Sequence, residues 1–189
     1  ADLETRIEME SDRFQARSEF DVTGSGFLKS VQLTLGYGDY LHNEIGKEDE
    51  NATETETHST FIRDGFETRI AFVHELGSLR GVFGFHGLFD NLKIAGEDSI
   101  FGGDEANGTI GAISGEDSSR IAFFLMEEFD LGDTTLVNAG IRWENHDRDL
   151  QGEKDTDESI FSAAGGISQQ LGEEWTLSGN LNYTERTPE

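Results

Sequence analysis

Residues 119–146 read SRIAFFLMEEFDLGDTTLVNAGIRWENH, and the fold turns on them. A hairpin centred on Gly132 sets Phe129 against Thr135, Leu125 against Ala139, Phe123 against Ile141 and Ile121 against Trp143. Side chains alternate across a strand, so one register sorts the whole hairpin into two faces. The first face is apolar or threonine except for Glu127, which falls opposite Val137. The second carries Phe124 over Gly140, Met126 against Asn138 and Arg120 opposite Glu144.

The rest of the chain repeats this unit. At the C-terminal end a hairpin centred on Gly172 sets Phe161 against Tyr183, Ala163 against Leu181 and Ile167 against Leu177. The other face of its last strand is uniformly polar, from Thr176 to Thr184. Upstream, 59–76 places Ile62, Phe66, Ile70 and Phe72 on one face and Arg63, Glu67, Arg69 and Glu75 on the other. The run after Leu76-Gly77-Ser78 leaves its faces open, because Phe83, Phe85 and Phe89 compete with Val82 and Leu88. In 27–45, Val31, Leu33, Leu35 and Tyr37 share a face. In 4–22 the apolar phase slips between Met9 and Phe14, which predicts a bulge or break near Ser11-Asp12.

The connections alternate. Those at 23–26, 76–78, 131–133 and 171–174 are tight, and three share Leu-Gly-polar. Those at 47–57, 95–118 and 147–158 are long and acidic. The reading is all-β: an antiparallel up-and-down meander of about eight long strands. Short turns on one rim, long loops on the other and two-faced strands are the pattern of an outer-membrane β-barrel segment. A soluble secreted acidic β-domain, binding calcium or glycan through its loops, stays open beside it, as does a porin-like or adhesin barrel.

Composition narrows the function. The 189 residues carry 39 acidic and 14 basic side chains, a formal charge of −25, which argues against a nucleic-acid partner. There is no cysteine, hence no disulfide or thiolate chemistry. No apolar run is long enough for a membrane helix, which leaves spanning strands untouched. The chain opens on the charged ADLETRIEME rather than a signal peptide. No HExxH, GxSxG, P-loop or GxGxxG motif is present, and the chain does not read as an enzyme.

Three segments in order also resemble one family. LSGNLNYTERTPE looks like a late barrel strand ending Ser-Glu-Arg-Ala-Pro-Thr, with Thr184, Glu185, Arg186, Thr187 and Pro188 on the motif. AFFLMEEFDLGDTTLVNAGIRWE resembles the preceding hairpin, with Trp143 where tyrosine is usual. VQLTLGYGDYLHNEI resembles an earlier strand with a Tyr-x-Asp-Tyr-x-His-x-Glu-Ile end. The family is that of TonB-dependent outer-membrane receptors, closest to the zinc- and haem-importing kind. The resemblance implies a plug domain, an energy-coupling box and a 22-stranded barrel. Residues 1–189 then read as one barrel segment, about a third of the wall, without plug or box. It further implies uptake of a scarce metal or chelate (zinc, haem or siderophore), with acidic loops forming the ligand vestibule. Expected partners are outer-membrane lipid and lipopolysaccharide, the TonB complex through the absent plug, and further copies of the segment.

Candidate ligand residues cluster near the long-loop rim: His42, Asp49, Glu50, His58, Asp104, Glu105 and His146. No cofactor is required, but imidazole and carboxylate suit zinc, and clustered carboxylates suit calcium, at the acidic loops. His42 and His58 flank one loop, yet the alternation of faces opposes them as a direct pair.

Overall fold

The computed structural model describes residues 6–46, 56–96, 115–150 and 155–186. They form eight strands: β1 (Arg6–Asp21), β2 (Leu28–Gly46), β3 (Glu56–Leu76), β4 (Leu79–Gly96), β5 (Gly115–Asp130), β6 (Thr135–Leu150), β7 (Thr156–Leu171) and β8 (Trp175–Thr184). All pair antiparallel with their sequence neighbours in one sheet, ordered β1 to β8, and β1 and β8 do not pair with each other. The expected meander is therefore the observed fold. Among the described residues no second layer covers either face.

Each tight turn rests on a glycine with positive φ: 83° at Gly24, 63° at Gly77, 76° at Gly132 and 83° at Gly172. That backbone region costs a residue with a Cβ about 1–2 kcal/mol. Two turns differ from the sequence reading. Leu131 N–H donates to the Thr135 carbonyl, and Leu171 pairs with Trp175. Gly132 and Gly172 thus open three-residue loops instead of sitting at their centres. Both registers move by two residues. Phe123 faces Trp143, Arg120 faces His146 and Ala163 faces Tyr183. A shift of two keeps every side chain on its face, so the sorting of faces stands.

The predicted irregularity at Ser11-Asp12 is absent, since β1 pairs with β2 continuously from Arg6 to Asp21. Its change of phase is real: Phe14 and Phe20 lie on one face, Ile7 and Met9 on the other. The irregularities fall instead between Leu28 and Ser30 and between Glu44 and Ile45. The strands also run further into the acidic stretches than expected. Glu116 and Asp117 belong to β5, Asp147 and Asp149 to β6, and Asp157 and Glu158 to β7. In β4 the competing faces resolve. Phe83 stacks on Phe72 at 5.1 Å and Phe85 meets Phe123 at 5.5 Å, so the odd-numbered phenylalanines join the apolar face.

Candidate functional site

The two faces of the sheet are the functional surfaces, and registration makes each of them continuous. On one, Phe20, Val31, Phe72, Phe83, Leu125, Ile141, Ala163 and Tyr183 form a single row across all eight strands. A sheet normally covers such a face with a second layer. Here it is bare: Leu181 is 80% exposed and Trp175 74%, and the only buried apolar side chains among the described residues are Ala71 and Ala122.

The apolar run has a definite length. On β4 it spans Leu79 to Phe89 and stops at Asn91, and on β7, interrupted by Gln169, it spans Leu171 to Phe161 and stops at Ser159. Ten residue steps at about 3.4 Å, on a strand tilted about 40°, give a belt about 25 Å tall. The tilt can be read independently. Registration puts the middle of the β4 run opposite Ser162, four residues from the middle of the β7 run. That drift is about 13 Å along the strand for about 14 Å across three strands, a slope near 43°. Height and tilt both match a wall crossing a bilayer.

Above the belt the same face turns acidic. Asp12, Asp39, Asp64, Asn91, Asp117 and Asp149 are neighbours in one registered row. Directly beneath them lie Phe14, Tyr37, Phe66 and Phe89.

The opposite face is polar and holds all eight arginines from Arg13 to Arg148. Charge on a lipid face costs about 2–4 kcal/mol at mid-membrane, so this segregation has a physical cause. Several arginines are tied to carboxylates: Arg63 to Asp90 at 3.1 Å, Arg148 to Glu116 at 3.1 Å, and Arg80 to Glu128 at 2.8 Å and Asp130 at 2.5 Å. At mid-height, His86 bonds Glu67 at 3.0 Å and lies 3.4 Å from Arg142, itself paired with Glu144. Arg69 lies 4.7 Å over the Phe124 ring. Arg69, His86, Phe124, Arg142 and Asn182 line a hollow of about 510 Å³.

His42 and His146 both sit on this polar face, but they do not share a site. His42 Nδ1 lies 3.0 Å from the Tyr40 hydroxyl, and the same hydroxyl lies 3.3 Å from the Met9 sulfur. His42 Nε2 is 3.7 Å from Glu44 and makes no hydrogen bond. His146 is opposite Arg120 and two residues from Arg148, surroundings that repel a cation. Four strand spacings, about 19 Å, separate the strands of the two histidines. His42 pairs with Phe61, and His58 falls in the irregularity beyond Glu44, so the two histidines are not opposite each other, as the parity of the faces required. Arg186 lies two residues beyond the end of β8. Asp49, Glu50, Asp104, Glu105 and Pro188 lie outside the described residues, as does the side chain of His58. Among the described residues no three His, Cys, Asp or Glu side chains converge on a point that could hold a metal ion.

The sequence reading missed two features. The network around His86 needed only the parity of the faces to be seen. The other is the partner of Glu127, the lone carboxylate on the apolar run. Both oxygens lie 3.0–3.1 Å from His74 Nε2.

A family model described as TonB dependent receptor-like, beta-barrel, matches residues 2–189. The chain belongs to this family. No match is found among curated protein sequences. Among solved structures, the copper transporter OprC superposes with a TM-score of 0.76 at 12% identity, over 96% of this chain and 30% of that one. The segment thus spans under a third of the length of the transporter it superposes on, and at that identity the likeness is one of fold. In the family's frame the bare face is the outside of a barrel, the arginine face its lumen, and β1 and β8 are open edges.

Proposed function

We propose that this chain is part of the wall of a Gram-negative outer-membrane receptor that takes up a scarce metal or metal chelate, driven by the TonB complex. The observation that carries the reading is the uncovered apolar belt, about 25 Å tall, backed by a face that gathers the arginines. The strand ends that lead into the long acidic connections, with Glu116, Asp117, Asp147 and Asp149, stand at the outer rim, where they attract cations to the mouth. Zinc, haem, a siderophore and, by the name of the structural neighbour, copper are the cargoes to test. The open edges of β1 and β8 take further strands of a larger barrel. Lipopolysaccharide packs on the upper belt, and the coupling complex engages a plug. An acidic soluble domain is disfavoured because its apolar face would need the cover that the sheet lacks.

The test is expression of the intact protein in a Gram-negative host, followed by membrane fractionation and uptake assays with each metal and with haem. Recovery in the outer membrane, with uptake lost in cells lacking the TonB complex, is the expected result. Recovery as a soluble monomer indifferent to detergent would overturn the reading.

A further inference from the structure

The apolar pattern of this sheet cannot fix its own register. A slip of two residues leaves every side chain on the face it had, and an apolar row meets an apolar row either way. Tight turns fix four seams: β1/β2, β3/β4, β5/β6 and β7/β8. The seam between β4 and β5 has no such help, because its connection, between Gly96 and Gly115, is long.

One polar interaction bridges that seam on the apolar face. His74 of β3, Gly81 of β4 and Glu127 of β5 are registered side by side. Imidazole and carboxylate meet across the glycine, where a Cβ would fall 2.5 Å from a Glu127 oxygen. His74 is 3% exposed, stacked on Phe27 at 4.8 Å and flanked by Phe83 at 5.7 Å. Its Nδ1 has no partner, so the hydrogen bond to Glu127 is the only one the buried ring makes. Glu127 is the sole carboxylate in the apolar run of the described residues. Displacing β5 by two residues would leave it facing lipid without a partner, with a buried imidazole stranded beside it.

We propose that His74, Gly81 and Glu127 form a register lock for the β4/β5 seam. The lock selects one of several alignments that hydrophobic matching leaves nearly equal in energy. On the polar face Arg80, bonded to Glu128 and Asp130, ties the same end of the same seam. Polar pairs in apolar settings are a known means of choosing register at some expense of stability.

These 189 residues hold no cysteine, so disulfide trapping in the intact protein in outer membranes gives a direct readout once any cysteine elsewhere in it is replaced by serine. Phe85 and Phe123 are registered partners, so Phe85→Cys with Phe123→Cys reports the native alignment. Phe85→Cys with Ile121→Cys or Leu125→Cys reports a slip of two either way, since diagonal neighbours lie beyond disulfide reach. With His74 and Glu127 intact, only the first pair should cross-link. In a His74→Phe/Glu127→Leu background the slipped pairs are expected to cross-link about tenfold more, while the protein still inserts. If that background still yields only the native cross-link, the lock is refuted. Should it fail to insert, His74→Gln/Glu127→Gln is put through the same traps, and slipped products support the lock while a purely native product overturns it.

Discussion

Gly84 shows how little slack the wall has at single positions. A Cβ there would sit 2.7 Å from the tip of the Phe124 ring and collide with the Ile70 carbonyl, a backbone atom that cannot step aside. Gly84→Val should cost about 1–3 kcal/mol, visible as a lower midpoint of unfolding in detergent. Asp64 presents the opposite case, because it lies between Asp39 and Asn91 in the acidic row. Like charges directly opposite on a sheet repel, so Asp64→Asn should stabilise by about 0.2–1 kcal/mol. The gain should shrink as salt rises, because the row stands in water. A gain independent of salt would show that charge is not its source. Histidine placement follows the same local logic. His146 sits among arginines and is unsuited to a cation, while His42 keeps an unpaired Nε2 beside Glu44.

At the scale of elements, the turns carry the most testable chemistry. Gly132→Ala forces a Cβ onto a φ of 76°, and a loss of about 1–2 kcal/mol is expected. The same change at Gly179, whose φ is not positive and whose side-chain space is open, should cost little. Denaturant titration of the two variants side by side would check the contrast. The turns also show why the sequence was legible only in part. Alternation identified the strands, their order and almost every face, because period two is written into each segment. It misplaced the β5/β6 and β7/β8 registers by two residues, because a palindrome of apolar residues reads the same after such a shift. Only the three-residue loop geometry breaks the tie. The strand ends were likewise underestimated at Glu116, Asp147 and Asp157, since backbone pairing continues above the belt where apolar residues have stopped. Of the candidate site, the histidines could be placed on faces. The partnership of His74 with Glu127 could not be seen, because it crosses an intervening strand.

For the whole molecule, the division of faces makes a sharp prediction. Phe123→Arg puts a charge on the apolar face near the middle of the belt and should cost about 2–4 kcal/mol in a bilayer. Ala164→Arg, at similar height on the polar face, should be tolerated within about 1 kcal/mol. Equal effects in reversible unfolding from lipid vesicles would contradict the assignment of lipid and lumen. The aspartates above the aromatic row carry one more consequence. They act as a depth gauge, for a thicker bilayer would dehydrate Asp12, Asp39 and Asp64, whereas a thinner one would wet Phe14, Tyr37 and Phe66. The two penalties oppose each other, so hydrophobic mismatch is punished in both directions. Reconstitution across a series of acyl-chain lengths should give stability that peaks where the hydrocarbon is about 25 Å thick. The sheet would then be sorted to membranes of that thickness by its lipid-facing wall alone.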